Sequence, residues 1–338
     1  MNEIFTTLAK AAATGERVAL GILTRVSGSS PQRTGAKAVF HLDRKITGTL
    51  GGGCLEAEAQ RLALDALRTR RPETFELVLD HDFGWDDGLI CGGKVFGVVI
   101  PDAQLAGKEF WDELARRDAE KVWGVKNDFT FAREEGRARH SVRAASGLSD
   151  DGARGVTRPT TPSIHNPPST IHSPDWLYTE TIHPKCALWI AGSGHIAQAV
   201  APLALGLDFD VSVFDDRPDL ANHSVFPREV RLHVGDWSRL LGGEFDARRT
   251  FGLIVTRGHK HDALVLESWI HRPFEFLGMI GSARKARTIA EHFVRKQIAT
   301  AEQVARVACP VGIEIQSQSV PEIAVSIMAQ YIERRAAI

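Results

Sequence analysis

The apolar run Leu188-Trp189-Ile190-Ala191 leads straight into Gly192-Ser193-Gly194-His195-Ile196-Ala197, a G-x-G-x-x-A loop set between a strand pattern and a helix pattern. In that order the first glycine makes a tight turn, the second admits a pyrophosphate to the helix N-terminus, and the third small residue lets helix and strand pack closely. Strand patterns follow over 211–214, 229–234, 251–256 and 276–280, with helices expected from His195 and Ser282. That alternation implies a parallel α/β sheet with helices on its faces.

The fold expected for residues 185–338 is therefore Rossmann-like. Its second strand ends at Asp215-Asp216, just over twenty residues beyond Gly192, where an acidic side chain can bind a ribose hydroxyl pair. Pro202 falls inside the helix that starts at His195 and should kink it or shorten its regular part. Two later strand ends offer ligand candidates at the carboxyl side of the sheet: Thr256-Arg257-Gly258-His259-Lys260-His261-Asp262, and Gly278 to Lys285. Arg284 and Lys285 oppose the dipole of the helix they begin, which a bound anion would rationalise, as would simple solvation. His259 and His261 could bind metal or transfer protons, or be polar loop residues. Ser319-Val320-Pro321-Glu322 reads as a capping box before a helix whose Ile323, Ile327, Met328, Tyr331 and Ile332 face the core.

Upstream, residues 1–145 read as an α+β domain: a helix over 2–13, strands over 17–26, 36–42, 45–50, 75–80, 95–100 and 121–131, and a helix over 110–117. Gly51-Gly52-Gly53-Cys54 stands where the strand pattern of 45–50 gives way to a helical one carrying Leu55, Ala59, Leu62, Ala63, Ala66 and Leu67. Cys54 is thus expected at a helix N-terminus, where unpaired N–H groups attract anions and favour a thiolate. A buried cysteine in a tight turn is the other reading. Between the two domains, 146–184 loses apolar periodicity and is rich in Pro, Ser and Thr, which reads as a linker or long excursion.

Composition narrows the partners. A formal net charge of −1, with 25% charged and 43% hydrophobic residues, gives no reason to expect nucleic acid or an acidic membrane. No basic n-region with a long apolar h-region begins the chain and no long apolar span follows, so a cytoplasmic protein is expected. Cys54, Cys91, Cys186 and Cys309 lie far apart without a C-x-x-C pair, so neither a metal site nor a disulfide framework is expected.

Several segments recur together in one known family. They are Gly28-Ser29-Ser30-Pro31-Gln32-Arg33-Thr34-Gly35-Ala36-Lys37, Gly48-Thr49-Leu50-Gly51-Gly52-Gly53-Cys54-Leu55-Glu56 and Leu89-Ile90-Cys91-Gly92-Gly93 in the first domain. In the second they are the Gly192 loop, Phe214-Asp215-Asp216-Arg217-Pro218, the stretches 256–262 and 278–285, and Pro321-Glu322-Ile323-Ala324-Val325-Ser326-Ile327. In this combination and order the chain resembles the XdhC/CoxI family of accessory proteins for molybdenum hydroxylases of the xanthine dehydrogenase and aldehyde oxidase kind. The Pro/Ser/Thr-rich segment is not part of that pattern.

The resemblance implies a cytoplasmic, homodimeric chaperone rather than an enzyme. It would bind molybdenum cofactor, either molybdopterin or its cytosine dinucleotide, hold it while a cysteine desulfurase installs the terminal sulfur, and deliver it to the apo-hydroxylase. On that reading the cofactor lies in an interdomain cleft, with Ser29, Ser30, Gly51, Gly52 and Gly53 as an oxyanion cradle and Arg33 or Lys37 adding charge. Cys91, in the turn with Gly92 and Gly93, and Cys54 are the candidate thiols, as molybdenum ligand or sulfur carrier. Cys91 is favoured, because similar proteins can carry methionine at the position of Cys54. Gly192, Gly194, His195, Asp215, Asp216, Arg257, His259 and Arg284 are the candidates for a nucleotide such as NAD. The alternative from another class is an NAD-dependent oxidoreductase built on the Gly192 loop and Asp215, with His195, His259 or His261 as proton donor.

Overall fold

A computed structural model describes residues 2–28, 30–79, 93–134, 174–243 and 248–336. The chain divides into two units, Met1–His183 and Pro184–Ile338. In the first, helix α1 (Asn2–Thr14) is followed by strands β1 (Val18–Ser27), β2 (Lys37–His41) and β3 (Ile46–Gly48), then helix α2 (Gly53–Thr69), strands β4 (Glu73–Leu79) and β5 (Gly93–Ile100), and helix α3 (Lys108–Arg116). Strands β6 (Lys121–Lys126), β7 (Phe131–Arg133) and β8 (Trp176–Ile182) complete the unit.

The five-stranded sheet runs β3-β2-β1-β5-β4, every pair antiparallel. Its central strand β1 is buried along its first six residues because helices cover both faces. Leu55, Ala59, Ala63 and Ala66 of α2 pack with Phe40, Leu50 and Val95 on one side. On the other, Phe5 and Leu8 of α1 join Trp111 and Trp123, whose rings meet edge to face with centroids 6.0 Å apart. Such pairs suit buried indoles.

Two expectations change here. The stretch 121–131 is not one strand: a turn at Asn127–Thr130, with Phe129 at φ 65°, makes β6 and β7 a hairpin. The stretch 146–184 is not linker to its end, because β8 pairs with β6 over Lys121–Ile182 to Lys126–Trp176 and carries the buried Tyr178 and Ile182 into the first core. The N-terminal unit accordingly runs to His183 rather than 145.

The second unit comprises β9 (Ala187–Ala191), α4 (His195–Gly206), β10 (Asp210–Asp215), β11 (Arg231–Val234), α5 (Trp237–Leu241), β12 (Thr250–Ile254), α6 (His259–Trp269), β13 (Phe276–Met279), α7 (Ala283–Arg295), α8 (Ala301–Ala305), β14 (Val307–Ala308) and α9 (Val320–Ala336). Its six parallel strands are ordered β11-β10-β9-β12-β13-β14, so the order reverses between β9 and β12. That reversal opens a crevice at the carboxyl ends of the strands, where open α/β sheets take ligands. Both faces of the sheet are covered, which is why β9 and β12 are buried along their whole length. Helix α4 continues past Pro202 to Gly206. The capping box forms as expected: Glu322 Oε2 accepts from the N–H groups of Gln318 and Ser319 at 2.7 and 2.9 Å, and α9 buries Ile327, Met328 and Tyr331 while Ile332 stays exposed. Among the described residues no helix is long and apolar enough to cross a membrane.

Candidate functional site

In the N-terminal unit the sequence builds an unusual helix start. Gly51, Gly52 and Gly53 all have positive φ, at 125°, 76° and 57°, and Gly52 caps α2 without a side-chain bond. A Cβ on Gly51 would lie 2.8 Å from Pro31 Cγ, so the glycine lets the 30–33 loop pack directly on the helix start. Cys54 is exposed there with a free thiol, which excludes the buried-cysteine reading.

The cradle is narrower than expected. Glu56 folds back so that its Oε2 accepts from Thr49 Oγ1 at 2.7 Å and from the Leu50 and Gly52 N–H groups at 3.1 Å each, and Gly51 N–H donates to Thr49 Oγ1. A carboxylate therefore already occupies two of the N–H groups and offsets the positive end of the helix dipole. The N–H groups of Gly53, Cys54 and Leu55 open the helix beyond its hydrogen-bonding reach and take no partner among the described residues.

Lys37 departs most from expectation. Its ammonium is buried, lies 2.6 Å from Glu180 Oε2 of β8 and donates to Gly35 O at 2.7 Å and Tyr178 Oη at 3.3 Å. Burial pushes its pKa down and Glu180 pulls it back up only in part. Lys37 is thus a core cation and adds no charge to a surface cradle. Arg33 is exposed on the loop, and Ser30 Oγ accepts from Gln32 N–H at 3.4 Å. Gly93 begins β5 opposite Leu79. Ser29, Cys91 and Gly92 lie outside the described residues.

The second unit gathers its candidates at the strand-order reversal. Gly192, at φ 110°, sits so close to Val255 that a Cβ would run into the Val255 carbonyl, which fixes glycine at this turn. A Cβ on Gly194 would meet nothing within 4 Å, so the loop is open outward at the start of α4, where His195 is exposed. Asp215 is almost wholly buried. Its Oδ2 accepts from Ser193 N–H at 2.7 Å and Arg217 Nη2 at 2.9 Å, and its Oδ1 from Arg217 N–H and Nε at 2.9 Å each. Burial raises its pKa, but the Arg217 and Ser193 hydrogen bonds outweigh that and hold the carboxyl at about 2. Arg257 Nη2 donates to Asp216 Oδ2 at 2.8 Å and lies 3.5 Å from His261 Nε2.

His259 and Arg284 are exposed in the first turns of α6 and α7. Lys285, next to Arg284, turns inward and pairs with buried Asp262, whose Oδ1 accepts from Thr256 N–H at 3.1 Å and Thr256 Oγ1 at 2.6 Å. Among the described residues no group of three or more His, Cys, Asp or Glu side chains is placed to hold a metal ion. Sequence reasoning missed Glu56, Glu180, Arg217 and Asp262 as partners. Only Arg217, directly after Asp215-Asp216, carried a local signal.

Comparison with known proteins matches residues 11–78 to the XdhC and CoxI family and residues 188–331 to the XdhC Rossmann domain. A Bacillus subtilis (strain 168) protein, described as a probable subunit of xanthine dehydrogenase, is 25% identical over 334 residues, covering 95% of this chain and 94% of its own. The protein YqeB of Escherichia coli (strain K12) is 24% identical over 331 residues, which is 98% of this chain but 46% of that relative. A crystal structure from Bacillus halodurans, described as a xanthine dehydrogenase, superposes with a TM-score of 0.75 at 23% identity over 99% of this chain and 96% of that one. That last likeness concerns the fold.

Proposed function

Because the chain belongs to the XdhC and CoxI family, we propose that it serves a molybdenum hydroxylase of the xanthine dehydrogenase kind as an accessory protein. Its cargo is molybdenum cofactor, as molybdopterin or its cytosine dinucleotide, which it holds during sulfuration by a cysteine desulfurase and then hands to the apo-hydroxylase.

The observation that carries this reading is the start of α2. An exposed thiol stands beside three N–H groups that take no partner among the described residues, on a turn of three glycines, with exposed Arg33 on the adjoining loop. The thiol is a soft ligand of the kind molybdenum takes, and the N–H groups and guanidinium suit the phosphate of a pterin. Cys91 is the second candidate thiol.

Anaerobic purification from a molybdenum-replete host, with molybdenum by elemental analysis and pterin by fluorescence after oxidation, tests the reading. Near-stoichiometric cofactor is expected on the wild type, with loss in Cys54→Ala, in Cys91→Ala or in the double variant. Wild-type protein without cofactor from that host overturns it, and retention by the double variant overturns the role of the thiols.

A further inference from the structure

The acid that ends β10 is closed to a ribose diol. A carboxylate reads two hydroxyls by accepting from them, and the two oxygens of Asp215 already accept four hydrogen bonds, from Ser193 N–H and from three donors of Arg217. That fills the roughly four lone-pair sites a carboxylate has. Asp216, the next acceptor along, is taken at one oxygen by Arg257, while its other oxygen lies 4.0 Å from Arg217 Nε. A plain dinucleotide therefore finds its usual ribose partner occupied.

The same two arginines supply what the acids withhold. Among the described residues, Arg217 uses Nε and Nη2 on Asp215, leaving Nη1 without a bond, and Arg257 uses Nη2 on Asp216, leaving Nε and Nη1. Arg217 follows β10 and Arg257 follows β12, so the two guanidinium groups come from the strands flanking β9 and its Gly192 loop and meet over the Asp215-Asp216 pair. This is the side of a dinucleotide site where the ribose 2′ position lies, and arginine there accommodates a 2′-phosphate. The loop itself is ready for a pyrophosphate: it is open outward at Gly194, and Ser193, fully buried between the two glycines, carries a hydroxyl with no hydrogen-bond partner among the described residues.

We propose that the Rossmann unit binds a dinucleotide phosphorylated at its ribose 2′ position, of the NADP type, and discriminates against NAD through Arg217 and Arg257. In the complex, free donors of both guanidinium groups reach the 2′-phosphate, and Arg217 stays on Asp215. Each charge-assisted contact of this kind contributes about a factor of ten or more in affinity. The proposal goes beyond cofactor carriage and does not require it.

Titration of the full-length protein, produced in molybdate-free medium, with NADPH and with NADH by nicotinamide fluorescence tests it. NADPH is expected to bind at least tenfold more tightly than NADH. Arg257→Ala, a change at an exposed side chain, should lower the preference for NADPH over NADH tenfold or more, because it removes a phosphate ligand and frees the Asp216 oxygen that Arg257 holds. Arg217→Ala should go further: it removes a phosphate ligand and also frees Asp215 to accept a ribose diol, so NADPH weakens while NADH tightens. Wild-type protein that binds neither nucleotide, or binds both equally, overturns the proposal, as does an unchanged NADPH to NADH ratio in Arg257→Ala. Should Arg217→Ala not fold, Arg257→Ala and the wild-type ratio still decide. The readout contains no molybdenum, so its failure and failure of the carrier reading are separate results.

Discussion

At the scale of single residues, most charges singled out as ligand candidates turn out to have protein partners. Lys37 is the plainest case, held between Glu180, Tyr178 and the Gly35 carbonyl, with its ammonium 5.5 Å from the Trp123 ring centre. Removing one member of a buried ion pair leaves the other uncompensated, which costs about 3–5 kcal/mol. Lys37→Ala should therefore lower the unfolding free energy of the N-terminal unit, read from its urea transition, by that order, and Glu180→Gln in the same background should recover part of the loss. A surface ligand would instead leave stability within about 0.5 kcal/mol. Asp215 and Lys285 follow the same rule, each tied to a partner of opposite charge. Among the described residues, what remains uncommitted is a short set: the Cys54 thiol, Arg33, His195, His259, Arg284, and the spare donors of Arg217 and Arg257.

At the scale of elements, the two glycine turns were legible and their wiring was not. The step from β9 through Gly192 to α4 is written in local order, apolar run, glycines, helical period, and each part is fixed by neighbours a few residues away. The start of α2 was equally visible from the spacing of Leu55, Ala59 and Leu62. That Glu56 would turn back onto Leu50 and Gly52 depends on the positive φ of three successive glycines, a geometry that the residue types permit without dictating. The Lys37–Glu180 pair joins β2 to a strand beyond 146–173, and no local pattern specifies a contact at that separation. Helices α5 and α8, five residues each, are too short for periodicity to show. One element-scale prediction tests the β9–α4 turn: Gly192→Ala forces a methyl into the Val255 carbonyl at a φ that alanine rarely adopts. The expected loss is on the order of 3 kcal/mol in thermal or urea unfolding of the Rossmann unit, with no matching loss in the N-terminal unit.

At the scale of the whole molecule, the sequence announced two units but misplaced where the first one ends. Its α+β part needs β8, which lies across β6 from β7, contributes Tyr178 and Ile182 to the core and brings Glu180 to Lys37. A fragment of residues 1–134 lacks that strand and should fail to give a cooperative unfolding transition, whereas a fragment of residues 1–183 should unfold cooperatively; circular dichroism with urea distinguishes the two. An equally cooperative 1–134 would show that β8 is dispensable.

Because β7 and β8 both pair with β6, the small sheet that β6 and β7 begin is completed by a strand some forty residues later in the chain, Trp176–Ile182. On the ribosome this order has a consequence: the nascent first unit stays one strand short until residue 182 has emerged, by which time β9 of the second unit has already been synthesised.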